Sequence, residues 1–243
     1  MANSRIGLIG GISWESTAEY YRLLNQLVDK SAGPHTQPEV VIDSQNFEVN
    51  VALQRAQDWD ACNEIYIDAA KRLESAGATV LGLCANTAHR GFEVVQASVS
   101  IPMIDIRVAM AQEVKSMGET SMALLGTKPT MATNHYSSRL EELGVKVVKP
   151  TNEEMDDLQR IIFDELTLGV FTDSSRQRFI DIAENCVNQG AGVVGLCCTE
   201  FGLLLNGHTT SFRTIDSVAA HVRALLLVSE FRTDSSHAGL ITE

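Results

Sequence analysis

No stretch of 18 apolar residues occurs in this 243-residue chain, so no segment is expected to cross a bilayer. No secretion signal is expected either, since MANSR runs directly into the strand-like RIGLIGG, whereas a signal peptide would need a longer apolar stretch and a small-residue cleavage site. That reading places the protein in the cytoplasm. Neither Cys-x-x-Cys nor a paired-histidine motif is present, so the spacing is wrong for zinc and no metal site is expected. The five cysteines (Cys62, Cys84, Cys186, Cys197 and Cys198) are odd in number, and in a cytoplasm they should be reduced thiols, not a disulfide framework. Positive charge is short, with 19 Lys and Arg against 31 Asp and Glu. A net charge of −12 disfavours nucleic acid and anionic membrane surfaces as partners. It does not exclude a small anion held locally by backbone amides. The full dinucleotide-binding fingerprint is missing, so Gly10-Gly11 reads as a tight turn. Ser13 has no evident histidine–aspartate partners, which disfavours nucleophilic hydrolysis.

What the chain does have is alternation. Hydrophobic residues make up 44% and charged residues 21%, enough for packed cores in two units of ordinary domain size. RIGLIG (5–10) precedes a helical stretch from about Trp14 to Lys30, closed by Gly33-Pro34, and VVID (40–43) follows. A helix over about 58–76 stops at Gly77, and TVLGLC (79–84) reads as a buried strand. SMALLG (121–126) is followed by a helix to Leu143 and then by VKVV (145–148). Thr151 and Glu154 form a capping box that opens a helix expected to end near Gly169. Another helix runs from about Ser174 to Gln189, before GVVGLCC (192–198). Such alternation predicts parallel sheets with right-handed crossovers, an α/β fold.

An internal repeat divides the chain. Gly77–Thr87 aligns with Gly190–Glu200, a shift of 190 − 77 = 113. Leu8-Ile9-Gly10-Gly11 aligns with Leu124-Leu125-Gly126-Thr127 (124 − 8 = 116), and Ile104-Asp105 with Ile215-Asp216 (215 − 104 = 111). Three echoes in order at nearly constant shift indicate duplicated α/β units. The expected division is residues 1–101 with 213–232 as the first unit and 102–212 as the second. The last helix, 217–232, returns to the first unit, and 233–243 forms a frayed tail.

Ligands of parallel sheets bind beyond the carboxyl ends of the strands. Here those ends carry Gly10–Ser13, Cys84–Thr87, Gly126-Thr127 and Cys197–Glu200, each before an expected helix start. Free amides there can hold a carboxylate and stabilise a thiolate. Two such units related by a pseudo-twofold would put two strand ends on opposite sides of one cleft, which suits removing a proton from one face of a carbon and delivering it to the other.

IGLIGGISWESTAEYYRLLN, NTAH (86–89), LLGT (124–127) and CTE (198–200) together resemble the aspartate/glutamate racemase family over about residues 5–230. With FDELTLGVFT (163–172), the amino-terminal segment looks most similar to its bacterial amino-acid racemase branch. The resemblance implies racemisation without pyridoxal phosphate, other cofactor or metal. Two thiols alternate as base and acid at the α-carbon. Cys198 matches the second thiol. The first would stand immediately before Asn-Thr, where this chain has Ala85; Cys84 lies one residue earlier and pairs with Cys197 in the repeat. Substrate-binding positions fall on Asn86, Thr87, Thr127 and Thr199, with Ala85 beside them and Ser13 and Gln54 on nearby loops. The basic pair that grips a distal carboxylate in aspartate-specific members is missing; Thr167 stands for its lysine. The implied partner is a small amino-acid substrate, and base rates favour a homodimer. Two alternatives share the scaffold: a one-thiol decarboxylase or isomerase resembling arylmalonate decarboxylases, and a non-catalytic amino-acid-binding protein. His89 either orients the site or caps a helix start.

Overall fold

The computed structural model describes residues 4–33 and 35–229. They divide into two compact units, one holding the residues up to Asp105 and from His221 onward, the other Ile106–Ala220. The expected tail, 233–243, and the end of the last expected helix lie outside the described residues.

In the first unit the chain runs β1 (Arg5–Gly10), α1 (Trp14–Ala32), β2 (Glu39–Ser44), α2 (Phe47–Arg55), α3 (Trp59–Ser75), β3 (Val80–Leu83), a 3-10 turn (Thr87–Gly91), α4 (Phe92–Gln96) and β4 (Met103–Ile104). Its sheet is parallel, in the order β2-β1-β3-β4. Helix α3 buries Cys62, Tyr66, Ala69, Ala70 and Leu73, a stripe at helical spacing that packs with Ile9, Leu81 and Leu83. Gly77 takes φ +84, the left-handed turn that ends this helix.

The second unit continues with α5 (Ile106–Ser116), β5 (Ser121–Gly126), α6 (Lys128–Ala132), α7 (Asn134–Glu142), β6 (Lys146–Val148), α8 (Asn152–Asp164), α9 (Asp173–Asn188), β7 (Val193–Cys197), α10 (Thr199–Leu205) and β8 (Thr214–Asp216). Helix α11 (Ser217–Val228) follows, with the chain back in the first unit from His221. This sheet is also parallel, ordered β6-β5-β7-β8. The Thr151–Glu154 capping box opens α8 in both directions, the Thr151 hydroxyl accepting from the Glu154 amide and the carboxylate from the Thr151 amide.

The repeat becomes register. Leu8 pairs with Gly82 and Gly82 with Ile104; at the aligned positions Leu124 pairs with Gly195 and Gly195 with Ile215. The same pairing sets the division of the chain. The short strand at 103–104 hydrogen-bonds to β3 and that at 214–216 to β7, so each closes its own sheet. The boundaries therefore fall after Asp105 and Ala220, not after 101 and 212.

Two expected helices are shorter than the sequence suggested. The one running to Leu143 breaks at Thr133, whose backbone is extended (φ −89, ψ 161) and whose hydroxyl donates to the Pro129 carbonyl at 2.7 Å. The one expected to reach Gly169 leaves helical form at Glu165 and finishes as a 3-10 turn, Leu166–Leu168, with Gly169 left-handed at φ +73. Helices α2 and α4 were not anticipated. Among the described residues, no helix is long and apolar enough to cross a membrane.

Candidate active site

In both sheets the chain changes direction between the two central strands: from β1 it goes to one side for β2 and to the other for β3, and β5 relates likewise to β6 and β7. A crevice opens beyond the carboxyl ends at such a switch point. The candidate residues gather at these ends, in one set per unit.

The first set lies beyond β1 and β3. Gly10-Gly11 makes the tight turn that was expected. Gly11 has φ +74, and a Cβ there would stand 2.2 Å from the Gln45 carbonyl oxygen. Ser13 then caps α1, its hydroxyl accepting from the Ser16 amide at 3.3 Å. The Ser16 hydroxyl donates at 2.8 Å to the Cys84 carbonyl, tying the start of α1 to the end of β3. Ser13, Asn86 and Thr87 are buried, and Ala85 is half-buried. His89 donates from Nδ1 to the Ala85 carbonyl at 2.9 Å; a carbonyl can only accept, so Nδ1 carries the proton. Gln54 lies in α2, not on a loop, and is half-buried; the Tyr66 hydroxyl of α3 donates to Asn50 Oδ1 of the same helix α2 at 2.8 Å.

The second set lies beyond β5 and β7. Gly126 pairs with Cys197 at the last rung of the ladder, which makes Thr127 and Cys198 the next residues on neighbouring strands. A Cβ at Gly126 would come within 2.8 Å of the Cys197 carbonyl oxygen, so glycine allows the strands to close here. Thr127 precedes α6, and its hydroxyl lies 3.1 Å from that of Thr130. Cys198 and Thr199 are half-buried and Glu200 is buried. The Cys198 thiol donates to Glu200 Oε2 at 3.0 Å.

That contact corrects the expected electrostatics. A helix start was expected to favour the thiolate, but burial, followed by the Glu200 charge and its hydrogen bond, pushes the Cys198 thiol well above its ordinary range. Helix α10 has seven residues, and its dipole is small beside a carboxylate in direct contact. The other thiols sit in the packed interior. Burial pushes Cys84 up beyond any use as a base near neutrality. Cys197, with Sγ 3.7 Å from the Tyr136 hydroxyl, is pushed up to about 12, and so is Cys186. All five cysteines are free, so Cys197 and Cys198 form no vicinal disulfide.

Sequence reading missed three features. Glu200 lay in a quoted motif, yet a side chain folding back onto position i−2 has no sequence signal. Ser16 looked like any helical serine. The buried pair Tyr20 and His221, whose hydroxyl and Nδ1 are 2.7 Å apart, is separated by 201 residues and joined only by folding.

Two parallel sheets of one topology, each with small and hydroxyl residues at its switch point and a half-buried thiol at one of them, define a duplicated α/β architecture of the kind seen in racemase structures. The sequence matches the Asp/Glu/Hydantoin racemase family over residues 9–225, and the chain belongs to that family, a group of amino-acid isomerases. It is 24% identical over 220 residues to the broad specificity amino-acid racemase RacX of Bacillus subtilis (strain 168), covering 88% of this chain and 93% of the relative. It is also similar to an aspartate racemase homologue from Pyrococcus horikoshii, at 36% identity and TM-score 0.82, covering 93% of this chain and 99% of the other. A Yersinia pestis protein of the Asp/Glu racemase type gives 33% identity and TM-score 0.86 over the same shares.

Proposed function

We propose that this protein racemises a free amino acid without pyridoxal phosphate or metal, with Cys198 exchanging the α-proton and Ala85 standing where a second thiol would act. The observation that carries the reading is the Cys198–Glu200 pair, one titratable hydrogen shared across 3.0 Å at the switch point of the second sheet. Passing the proton from sulfur to carboxylate leaves a thiolate and a neutral acid with no net change in charge. The thiolate then takes the α-hydrogen: the C–H bond breaks, an S–H bond forms, and the electron pair moves onto the substrate carboxylate. Asn86, Thr87, Thr127 and Thr199, with Ser13 and the Ala85 backbone, are assigned to holding that carboxylate and the amino group. Gln54, on α2, is assigned to the same substrate-binding set. The protein would work as a homodimer in a reducing cytoplasm; sedimentation at micromolar concentration should give twice the 26.5 kDa chain mass, and a clean monomer would refute this.

Incubation with single-enantiomer amino acids and an arylmalonate, followed by chiral chromatography, tests the reading. Inversion of an amino acid is expected. Carbon dioxide release from the malonate alone would establish the decarboxylase reading instead, a pattern that Ala85 with Cys198 also fits.

The alanine has its own consequence. Its methyl group neither takes nor gives a proton, so one face of the α-carbon has a competent thiol and the other does not. In deuterium oxide, one enantiomer is expected to lose its α-hydrogen faster than it inverts, because Cys198 returns deuterium to the face it deprotonated. The other enantiomer should exchange slowly, and Ala85→Cys should bring inversion closer to exchange. NMR of α-hydrogen loss alongside chiral analysis, from each enantiomer separately, measures this. Exchange and inversion rates that agree from both directions would show two competent groups already present.

A further inference from the structure

His89, which lies outside the thiol chemistry, is built into a buried array. It is fully buried, its ring stacks on Phe92 at a centroid distance of 5.9 Å, and the ring of His221 meets it edge-on at 5.5 Å. His221 is itself fixed from two sides. Its Nδ1 accepts from the Tyr20 hydroxyl at 2.7 Å, and its Nε2 donates to the Ile104 carbonyl at 2.8 Å. Tyr20 belongs to α1, Ile104 to β4 and His221 to α11, so three elements of the first unit hold one ring in place. Against this fixed ring His89 is packed, and His89 in turn donates from its own Nδ1 to the carbonyl of Ala85 at 2.9 Å.

The neighbouring carbonyl is gripped as well, since Ser16 donates to Cys84 O at 2.8 Å. Two consecutive carbonyls at the end of β3 are therefore held by side chains and not by a strand. The Ala85–Asn86 peptide is trans and planar, so fixing its C=O fixes the Asn86 N–H in the opposite direction. Negative charge grows on a substrate carboxylate as its α-hydrogen leaves, and an amide aimed beforehand stabilises that charge without reorganisation. We propose that His89 is a positioning residue: by pinning the Ala85 carbonyl it aims the Asn86 amide at the substrate carboxylate. This inference rests on the racemase reading above.

The test compares His89→Asn, whose Nδ2 can replace the lost Nδ1 donor, with His89→Leu, which has none. Two readouts are needed. The first is the Ala85 carbonyl 13C and Asn86 amide resonances, which report the pin whether or not the protein turns over. His89→Leu should shift both, and His89→Asn should return them toward wild type. The second is racemisation, where His89→Leu should lower kcat on the order of 10–100-fold, the scale for a misplaced group, with KM changed much less. His89→Asn should recover most of kcat. Unmoved resonances in His89→Leu overturn the proposal, as does a kcat within twofold of wild type or an Asn variant as impaired as the Leu variant. An inactive wild type is seen before any variant is made and counts against the racemase reading alone; the resonances then decide the pin.

Discussion

Cys198→Ser is expected to lower turnover by at least ~100-fold, the lower end for losing a general base. The hydroxyl keeps the shape and the Glu200 contact but yields an anion far less readily than a thiol. Iodoacetamide should inactivate the wild type, with protection by substrate. Because burial and Glu200 both raise the thiol, little thiolate exists at neutral pH, so alkylation and kcat/KM should climb as pH rises through the titration. Glu200→Gln removes the charge and the accepting carboxylate together, two of the causes that raise the thiol, and should move the alkylation profile to lower pH. Full activity in Cys198→Ser would take Cys198 out of the reaction. An unmoved alkylation profile in Glu200→Gln would deny the coupling.

Acid sensitivity should trace to His221, a residue without a role at the α-carbon. Burial, with His89 nearby, pushes its folded pKa down to about 3 from an ordinary 6.5. The sign follows from which state binds the proton. As pH falls below 6.5 the unfolded chain protonates this histidine while the folded protein does not, so stability is full above 6.5 and is lost toward pH 3. The loss attributable to this group is roughly 2 kcal/mol between pH 7 and pH 5 and at most about 5 kcal/mol at the lower limit. His221→Gln keeps a donor for Ile104 O but removes the Nδ1 that accepts from the Tyr20 hydroxyl, costing about 1–3 kcal/mol at pH 7. Its stability should then change much less between pH 7 and pH 5. Urea unfolding of both proteins at the two values measures the difference, and the other five histidines are common to both. An equal loss in the variant would assign the acid limb to other groups.

The origin of each result differs in kind. The sequence by itself determined the α/β class, the duplication and the family, because each rests on local regularities: apolar strands of four to six residues, glycine stops at Gly77 and Gly190, and a repeat that the sheets convert into equal register. It also located the strand ends that carry Ala85, Asn86 and Thr87 in the first unit and Thr127 and Cys198 in the second, since a carboxyl-terminal strand end is a position along the chain. It misplaced the boundaries at 101 and 212, because two- and three-residue strands carry almost no signal and only their pairing reveals which sheet they close. Tertiary structure alone decided the direction in which the thiol's titration moves. A helix start can be read from sequence and argues for a thiolate, but burial and then the Glu200 carboxylate turned onto the sulfur argue the other way, and a full charge in direct contact outweighs the roughly half charge of a helix end. Tertiary structure alone also assembled Tyr20, His89 and His221, whose contacts join residues up to 201 positions apart. Such proximity is set by how strands and helices pack, which no local pattern encodes.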